Sequence, residues 1–402
     1  MKRKITAIDV GTAKVCTIMG VLDDKSGLRI MGVGIAPSHG IEKALVANVS
    51  QAKESIRQSI NKAEMMAGYK LDSAYIGVTG QSISSVNNKG TIAITHTDQL
   101  VRQEDMKRVL EVALNAKTPA DRKMLHVIPR AYTLDGQQVE NPVGMHGYEL
   151  SVEVHVVTGA AASVQNLTQC IRDVGIGIED LILEPLASAE AVLNEEEKQS
   201  GVLIADIGGG ITNIAVMKDG SIYYTSVLPV AGHQITQDIA TGLELPFELA
   251  EEMKKKYGSL QPLKENEGDK VFSENGHNVS YHDLCEIIRA RVEELMRLVM
   301  LELPRTDYDS LIPSGIVITG GCANLPGIVE ITQVITRLPV RIGVPSTLNG
   351  VSSALLKDPA YATSVGLILW KMKNDSAANQ NGRQIKPAGI RGFFSSPVKL
   401  FR

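Results

Sequence analysis

The chain has 402 residues, of which 44% are hydrophobic and 21% are charged, a composition typical of folded globular proteins. One compact core seldom extends over so many residues, so the length predicts two or more domains. The net charge of -4 and a pI near 6.1 argue against nucleic acid as the main partner, because binding phosphate backbones needs a basic surface.

The cysteines and the N-terminal segment predict a cytoplasmic protein. Cys16, Cys170, Cys285 and Cys322 form neither a C-x-x-C pair nor a zinc-binding spacing, so we expect buried free thiols. The first residues carry no long apolar segment of a signal peptide, and no stretch reaches the roughly 18 apolar residues of a spanning helix. Any contact with a membrane is therefore expected to be peripheral.

Strand-like and helix-like segments alternate along the chain. In chain order the sequence predicts strands at 5–8 and 15–21, a helix at 50–68, strands at 74–79 and 90–95, a helix at 104–114, strands at 125–134 and 150–157, a helix at 163–173, strands at 202–205 and 214–217, a helical block at 234–303, a strand at 315–319 and a helix at 361–370. From Lys371 the composition turns to that of a flexible linker.

A strand that ends in an acid and a glycine turn occurs twice, at Asp9–Gly11 and at Asp206–Gly210. Glycine lets backbone amides approach a phosphate chain, and the two acids are suited to hold a hydrated Mg²⁺ that bridges the phosphates. Either turn alone is more often a plain hairpin, but two copies about 200 residues apart favour a phosphate site between duplicated α/β domains. A third glycine turn, Thr319-Gly320-Gly321, offers a flat edge for adenine and ribose.

These motifs resemble those of the actin, sugar-kinase and DnaK-type chaperone superfamily, in the expected order and over nearly the whole chain. Asp9-x-Gly11-Thr12-x-Lys14 resembles the phosphate-1 motif, Asp206-Ile207-Gly208-Gly209-Gly210 the phosphate-2 motif and Thr319-Gly320-Gly321 the adenosine motif. Residues 183–189 resemble the first connecting helix, and residues 362–366 resemble the second. Residues 250–254 resemble the helix that packs around the ribose and adenine.

The resemblance implies an α/β, actin-like fold: two duplicated ribonuclease-H-like domains around a nucleotide cleft, with an inserted α+β subdomain. It implies ATP and Mg²⁺ as cofactors, with Asp9 and Asp206 holding the metal mainly through water and with Glu184 and Asp206 as the catalytic carboxylates. The expected nucleotide-binding residues are Asp9, Gly11, Thr12, Lys14, Gly208, Gly209, Gly210, Thr212, Asn213, Glu251, Lys254, Gly320, Gly321 and Asn324.

The insertion narrows the resemblance to the FtsA family of bacterial cell-division proteins, through His126-Val127-Ile128-Pro129-Arg130, residues 141–150 and Val154-His155-Val156-Val157-Thr158-Gly159. FtsA-like proteins use this insertion, subdomain 1C, for filament contacts and for other division proteins. The implied division is subdomain 1A at 1–84, 159–198 and 362–378, 1C at 85–158, 2A at 199–235 and 312–361, 2B at 236–311, and a linker with a membrane-targeting tail at 379–402.

Two residues depart from the superfamily pattern. Active ATPases usually have Thr at the position of Ile211 and Asp at the position of Asn213, so this chain lacks a hydroxyl and a charge there. Because general-base and metal-positioning groups lower the barrier by several kcal/mol, we expect ATP binding with at most slow hydrolysis. Whether the chain is an enzyme stays open.

The C-terminal segment and one helix suggest partner surfaces. The last residues combine apolar anchors with cations, which suits an anionic lipid surface, and they resemble the FtsA membrane-targeting tail, although only 397–402 would be helical and a disordered basic terminus is the alternative. The expected membrane residues are Phe393, Phe394, Val398, Lys399, Leu400, Phe401 and Arg402. The helix at 282–302 carries charges that a surface salt-bridge ladder explains. The resemblance adds Arg289, Arg291, Arg297 and Arg305 as candidate contacts of the acidic FtsZ C-terminal peptide.

The expected function is that of an ATP-binding division protein. It would polymerise on the cytoplasmic face of the cell membrane at the division site, anchor FtsZ there and recruit later division proteins. One alternative is a scaffold of a type IV pilus machine like PilM, which shares the fold and the insertion but lacks the lipid-binding tail. A second is a small-molecule kinase, for which the sequence supplies no substrate-binding acid.

Overall fold

The computed structural model describes residues 2–23, 27–114, 119–261, 271–274, 277–304, 308–345, 348–351 and 353–380. The strands in chain order are β1 Lys2–Val10, β2 Lys14–Asp23, β3 Gly27–Pro37, β4 Ile41–Glu42, β5 Leu45–Val46, β6 Ser73–Val78, β7 Ser84–Ala93, β8 Arg122–Leu134, β9 Gln137–Val139, β10 Glu149–Ala160, β11 Gly177–Leu183, β12 Val202–Ile207, β13 Thr212–Lys218, β14 Ser221–Leu228, β15 Val271–Glu274, β16 His277–Ser280, β17 Ile316–Thr319, β18 Val340–Ile342 and β19 Asn349–Gly350.

The helices cover the faces of these sheets. In chain order they are α1 Val49–Ala67, α2 Gln103–Leu114, α3 Ala161–Asp173, α4 Glu184–Val192, α5 Glu195–Ser200, α6 Gly232–Gly242, α7 Phe247–Tyr257, α8 Tyr281–Glu302, α9 Tyr308–Leu311, α10 Ile328–Thr336 and α11 Ala362–Gln380. Within the part of the chain that the structure describes, none of these helices is long and apolar enough to cross a lipid bilayer.

Two sheets repeat one topology. The first has the order β11-β6-β1-β2-β3-β19, and the second has the order β18-β17-β12-β13-β14. In each, an antiparallel three-stranded meander (β1–β3 or β12–β14) is extended by parallel strands on the side of its first strand. The duplication predicted from the two Asp-Gly turns is therefore confirmed, and both turns lie at the same end of equivalent hairpins.

The segment between β6 and α3 forms a separate sheet of order β7-β10-β8-β9, covered on one face by α2. Its own apolar core includes Val109, Leu150, Val152 and Val154. The sheet also contacts β14 of the second domain, where Ser85 Oγ donates to the Thr225 carbonyl at 3.0 Å. This insertion therefore contacts both domains: His126 Nε2 accepts a hydrogen bond from the Leu183 amide of the first domain at 2.9 Å, and Ser85 contacts the second domain.

His155 sits in the contact between the insertion and β14 and is 1% exposed. Its Nδ1 lies 2.7 Å from Asn87 Oδ1, and its Nε2 lies 3.2 Å from Thr225 Oγ1. An amide oxygen only accepts, so Nδ1 carries the proton and Nε2 accepts from the threonine hydroxyl. Burial, with smaller effects of Arg130 and His126, lowers the pKa of His155 to about 4, so the imidazole is neutral at pH 7.

The apolar face expected on α8 packs into the core of the second domain, with Leu284, Ile288, Val292, Leu295 and Val299 all buried. The four cysteines are free and buried, as expected. Between α7 and α8 the structure adds the hairpin β15–β16, which the prediction of a continuous helical block at 234–303 missed. Four-residue strands are too short to set up a readable alternation of apolar residues.

Two predicted boundaries are wrong. Strand β7 begins at Ser84 rather than residue 90, because its first half lies at a sheet edge and is mostly polar and exposed. Helix α11 continues to Gln380 rather than ending at residue 370. The sequence from 371 to 380 was assigned to a linker on composition, yet it holds no Gly or Pro, and its Ala, Lys and Met residues are good helix formers.

Candidate functional site

The two Asp-Gly turns face each other across an open cleft between the first and second sheets. The cleft holds about 550 Å³ of empty space. It is lined by Asp9, Gly11, Thr12, Ala13, Lys14, Ala44, Thr79, Glu184, Asp206, Gly208, Gly209, Gly210, Ile211, Asn213, Gly320, Gly321, Ala360 and Thr363. Residues from distant parts of the sequence thus converge on one site, and it lies in a concave position between two domains, where ligand sites are common.

Each turn is closed by a backbone hydrogen bond. The amide of Gly11 donates to the Lys14 carbonyl at 3.0 Å, and the amide of Gly208 donates to the Ile211 carbonyl at 3.0 Å. The turns also touch, since a Cβ on Gly210 would stand 2.7 Å from the Thr12 hydroxyl oxygen. The close approach of the two turns explains why glycine occupies this position.

Lys14 contributes a cationic side chain to the lining of the cleft. Its Nζ donates to the Ala360 carbonyl at 2.6 Å and lies 4.9 Å from the centre of the Tyr361 ring. The carbonyl and the aromatic face both favour the ammonium group, and the ring adds a cation–π contact. The lysine is therefore held in place by the segment that leads into α11.

Two hydroxyl residues in the first turn of α11 bind the two aspartates. Ser364 Oγ donates to Asp9 Oδ2 at 2.7 Å, and Thr363 Oγ1 donates to Asp206 Oδ2 at 2.8 Å. Ser188 Oγ of α4 donates to the same Asp206 oxygen at 2.5 Å. These bonds favour the ionised forms, but burial outweighs them and raises the pKa of both aspartates. Burial disfavours the negative charges of these two carboxylates. A cation bound between them would offset these charges, so the pair is a favourable cation site.

Glu184 is the third acid of the cleft. It opens α4, directly after β11, and its Oε2 accepts a hydrogen bond from Asn213 Nδ2 at 3.2 Å. Asn213 Oδ1 in turn accepts from Thr79 Oγ1 at 2.5 Å. Burial, followed by the nearby Asp9 and Asp206 carboxylates, raises the pKa of Glu184 well above its usual value.

The third glycine turn closes one side of the cleft. Gly320 has φ of 85° and ψ of 175°, a conformation that is essentially restricted to glycine. Its amide donates to the Pro359 carbonyl at 3.2 Å, and Cys322 Sγ donates to the Gly208 carbonyl at 3.4 Å. Gly321 has open space where a side chain would stand. The turn thus offers a bare edge next to the second Asp-Gly turn.

Four predicted nucleotide-binding residues lie outside the cleft lining. Thr212 is fully buried and donates to the Val230 carbonyl at 2.7 Å. Lys254 Nζ binds the Gly232 carbonyl at 2.9 Å and Glu251 Oε2 at 2.6 Å, so this pair neutralises itself behind the third turn. Asn324 Nδ2 donates to Asp358 Oδ1 at 2.9 Å. The ten other predicted residues line the cleft, and the role of the whole set in binding stays a prediction.

Five residues that shape the site were not predicted from the sequence: Thr79, Ser188, Ala360, Thr363 and Ser364. Three of them lie inside the motifs at 183–189 and 362–366, so their hydroxyls were readable as partners for buried acids. Thr79 follows β6 directly, and a polar residue at the carboxyl end of a parallel strand is a usable signal. Ala360 acts through its carbonyl, which leaves no trace in the side-chain sequence.

The donor set suits a hydrated divalent cation. Among the described residues, no three His, Cys, Asp or Glu side chains lie close enough to hold a metal ion by themselves. Asp9 and Asp206 nevertheless direct buried carboxylate oxygens, the ligand type that Mg²⁺ prefers, into a cleft large enough for the ion to keep several waters. Water-mediated binding of Mg²⁺ by these two acids stays a prediction.

Three of the four candidate arginines on and after α8 lie within the described residues, and each has an acidic neighbour. Arg291 Nε lies 2.5 Å from Asp238 Oδ2, Arg297 Nη2 lies 2.9 Å from Glu293 Oε2, and Arg289 Nε lies 3.5 Å from Glu286 Oε1. Of the ladder expected from Arg289, Glu293 and Arg297, the Glu293–Arg297 pair forms, whereas Arg289 lies beside Glu286 instead. Arg305 and the tail residues 393–402 lie outside the described part of the chain.

Two family models match the chain. "Cell division protein FtsA" matches residues 203–366, and "SHS2 domain inserted in FTSA" matches residues 80–158, the segment that forms the separate sheet. FtsA of Pseudomonas aeruginosa is 39% identical over 380 residues, which cover 93% of this chain and 90% of that protein. The chain belongs to the FtsA family.

Other relatives extend this finding. FtsA of Neisseria meningitidis serogroup B is 37% identical over 95% of this chain and 94% of its own length, and FtsA of Bacillus subtilis is 35% identical over 94% and 85%. The family assignment makes this chain a cell-division protein, and the sequence resemblance is confirmed.

Solved structures show the fold of this FtsA-family chain. A PilM–PilN type IV pilus biogenesis complex aligns with a TM-score of 0.63 at 15% identity, over 91% of this chain and 98% of that one. MreB 5 of Spiroplasma citri bound to AMPPNP aligns with a TM-score of 0.57 at 15% identity, over 94% and 99%. At such identities only the fold is shown, and it is the actin-like fold expected from the motifs.

Proposed function

We propose that this chain binds ATP with Mg²⁺ in the cleft between its two domains. The proposal rests on one observation: two glycine turns, three buried carboxylates and a lysine that is fixed by a hydrogen bond all line the same cavity. The amides of Gly11 and Gly208 close the two turns, so the backbone amides of Gly209 and Gly210 would receive the phosphates, and Asp9 and Asp206 would hold the metal through water. Bound Mg²⁺ supplies positive charge that offsets both the phosphates and the carboxylates. The MreB structures solved with ADP and AMPPNP share this fold.

Hydrolysis in this site is proposed to be slow. Ile211 is an apolar, 5% exposed residue beside the second turn, where a hydroxyl would otherwise be available. Asn213 contributes no charge, and its amide occupies one oxygen of Glu184, the acid proposed to orient the attacking water. Because oriented bases and metal-positioning charges each lower the barrier substantially, binding without rapid turnover is the expected behaviour.

Calorimetric titration of the full chain with ATP and Mg²⁺ tests the binding. We expect saturable heat for the wild type and a loss of at least about tenfold in affinity for Lys14→Ala, because a charge-assisted contact to phosphate is removed. Lys53→Ala is the matched control, since Lys53 is paired with Asp173 on the surface, away from the cleft. No heat with the wild-type protein, or equal affinities for both variants, would refute the proposal.

We further propose that the chain forms filaments, binds the FtsZ C-terminal peptide through 2B and attaches to anionic lipid at the inner face of the cell membrane through residues 389–402. The family assignment supports the division role, and the arginines of α8 supply cations for an acidic peptide. That peptide must compete with Asp238, Glu293 and Glu286 for those arginines. Contacts with later division proteins are assigned to the insertion.

Two binding assays separate these partners. Fluorescence polarisation with a labelled FtsZ C-terminal peptide is expected to show weaker binding by Arg297→Glu. Arg172→Glu makes the same charge change at an exposed residue of α3 in the first domain and is expected to bind the peptide as the wild type does. Co-sedimentation with anionic vesicles is expected to fall when residues from 390 onward are deleted, and unchanged pelleting would exclude the tail as the anchor. The PilM-like and kinase alternatives keep only the support of the shared fold.

A further inference from the structure

Asn213 joins the two domains at the floor of the cleft. It lies at the start of β13 in the second domain, but both partners of its side-chain amide belong to the first domain. Thr79 Oγ1 donates to its Oδ1 at 2.5 Å, and its Nδ2 donates to Glu184 Oε2 at 3.2 Å. Thr79 and Glu184 follow the neighbouring parallel strands β6 and β11, whose residues Val78 and Leu183 are paired.

This three-residue chain of hydrogen bonds is shielded from water. Thr79 is 9% exposed, Asn213 is 4% exposed and Glu184 is 7% exposed. A buried polar group that loses its hydrogen-bond partner is left desolvated without compensation. Breaking these two hydrogen bonds therefore costs free energy unless the cleft opens and admits water. Separating the domains at this point and breaking the two hydrogen bonds are therefore the same event.

An amide at position 213 satisfies both of its neighbours. Its oxygen accepts from the Thr79 hydroxyl and its nitrogen donates to the Glu184 carboxyl group, so one side chain supplies both an acceptor and a donor. An aspartate of the same shape would still accept from Thr79 but would repel Glu184, in a cleft that already holds Asp9 and Asp206. Asn213 is thus suited to hold the domains together, which an acid at the same place would not do.

We infer that Asn213 is a clasp between the two domains that sets the rate of nucleotide exchange. The inference rests on the proposed nucleotide binding in the same cleft. Nucleotide enters and leaves when the domains part, so the clasp breaks and re-forms at each exchange, and weakening it speeds both steps. Asn213 acts through Glu184 and Thr79 and is a positioning residue rather than a catalytic one.

The test is stopped-flow fluorescence of the full chain with N-methylanthraniloyl-ATP and Mg²⁺, followed by a chase with excess ATP. Asn213→Asp and Thr79→Val are each expected to raise both the association rate and the release rate by about tenfold. Asn213→Asp removes the buried hydrogen bond to Glu184, and Thr79→Val removes the hydrogen bond that orients Asn213. Thr79→Ser keeps the hydroxyl and is expected to restore slow exchange. Thr91→Val makes the same change of side chain away from the cleft, where Thr91 contacts Ser151 inside the insertion, and serves as the control with unchanged rates.

The direction of the association rate distinguishes a clasp from a damaged site. A variant that merely distorts the cleft releases nucleotide faster but captures it more slowly, and that pattern in both Asn213→Asp and Thr79→Val overturns the inference. Exchange at the wild-type rate in both variants overturns it as well and leaves the proposed function intact. If the wild-type protein shows no binding of the fluorescent nucleotide, the proposed function fails and the inference fails with it.

Discussion

Replacing Gly320 by Ala tests how tightly the third glycine turn is packed. Gly320 has φ of 85° and ψ of 175°, and a Cβ there would stand 2.5 Å from Asp206 Oδ1 and 2.5 Å from the Ile207 carbonyl oxygen. The conformation alone costs about 1–3 kcal/mol for a residue with a side chain. Forcing a methyl group into packed backbone adds about 1–3 kcal/mol, so we expect Gly320→Ala to destabilise the fold by about 3 kcal/mol or more.

The assay is thermal unfolding of the full chain, with Gly321→Ala as the matched control. At roughly 2–4 °C per kcal/mol for a domain of 150–250 residues, the midpoint of Gly320→Ala should fall by about 6–12 °C. Gly321 has no atom within 4 Å of the position of a Cβ, so its substitution should change stability by less than about 0.5 kcal/mol. Equal midpoints for the two variants would refute the reasoning.

The remaining predictions concern pH, helix packing and nucleotide. The pKa of His155 is lowered from 6.5 to about 4, so the stability that the neutral imidazole contributes is complete above pH 6.5 and is lost as the pH falls toward 4. Between pH 6.5 and 4, the unfolding midpoint of His155→Gln should therefore change less with pH than that of the wild type. Gly366→Ala places a Cβ 1.8 Å from the Ala187 carbonyl oxygen, so α11 should separate from α4. Thermal unfolding should show a loss of about 3 kcal/mol or more of stability, or the variant should fail to fold. ATP with Mg²⁺ at about 100 times its Kd should add about 2.7 kcal/mol, and EDTA should abolish this gain; an unchanged midpoint would contradict binding.

The motifs made the fold predictable because each is local. Asp9–Gly11 and Asp206–Gly210 are short strand–turn signals, and their repetition predicted the duplicated sheets before any long-range contact was known. The apolar face of α8 was readable for the same reason, since helical spacing is a property of one segment. Local signals of this kind are the ones that a sequence carries most directly.

What the sequence did not show depends on contacts between distant residues. The bond between Lys14 and the Ala360 carbonyl spans 346 positions and uses a backbone group of a residue with an unremarkable side chain. The link from Thr79 to Asn213 to Glu184 appears only when two domains are placed side by side. The first half of the edge strand β7 and the short hairpin β15–β16 were missed because neither has an apolar pattern of its own.

The anchoring of α11 gives the C-terminal part of the chain a direct connection to the cleft. Its first turn is bonded to Asp9 through Ser364 and to Asp206 through Thr363, and its far end, at Gln380, precedes the last 22 residues of the chain. One helix therefore holds both acids at one end and carries the remaining residues at the other, so a displacement of α11 also displaces the two hydroxyls that bind Asp9 and Asp206.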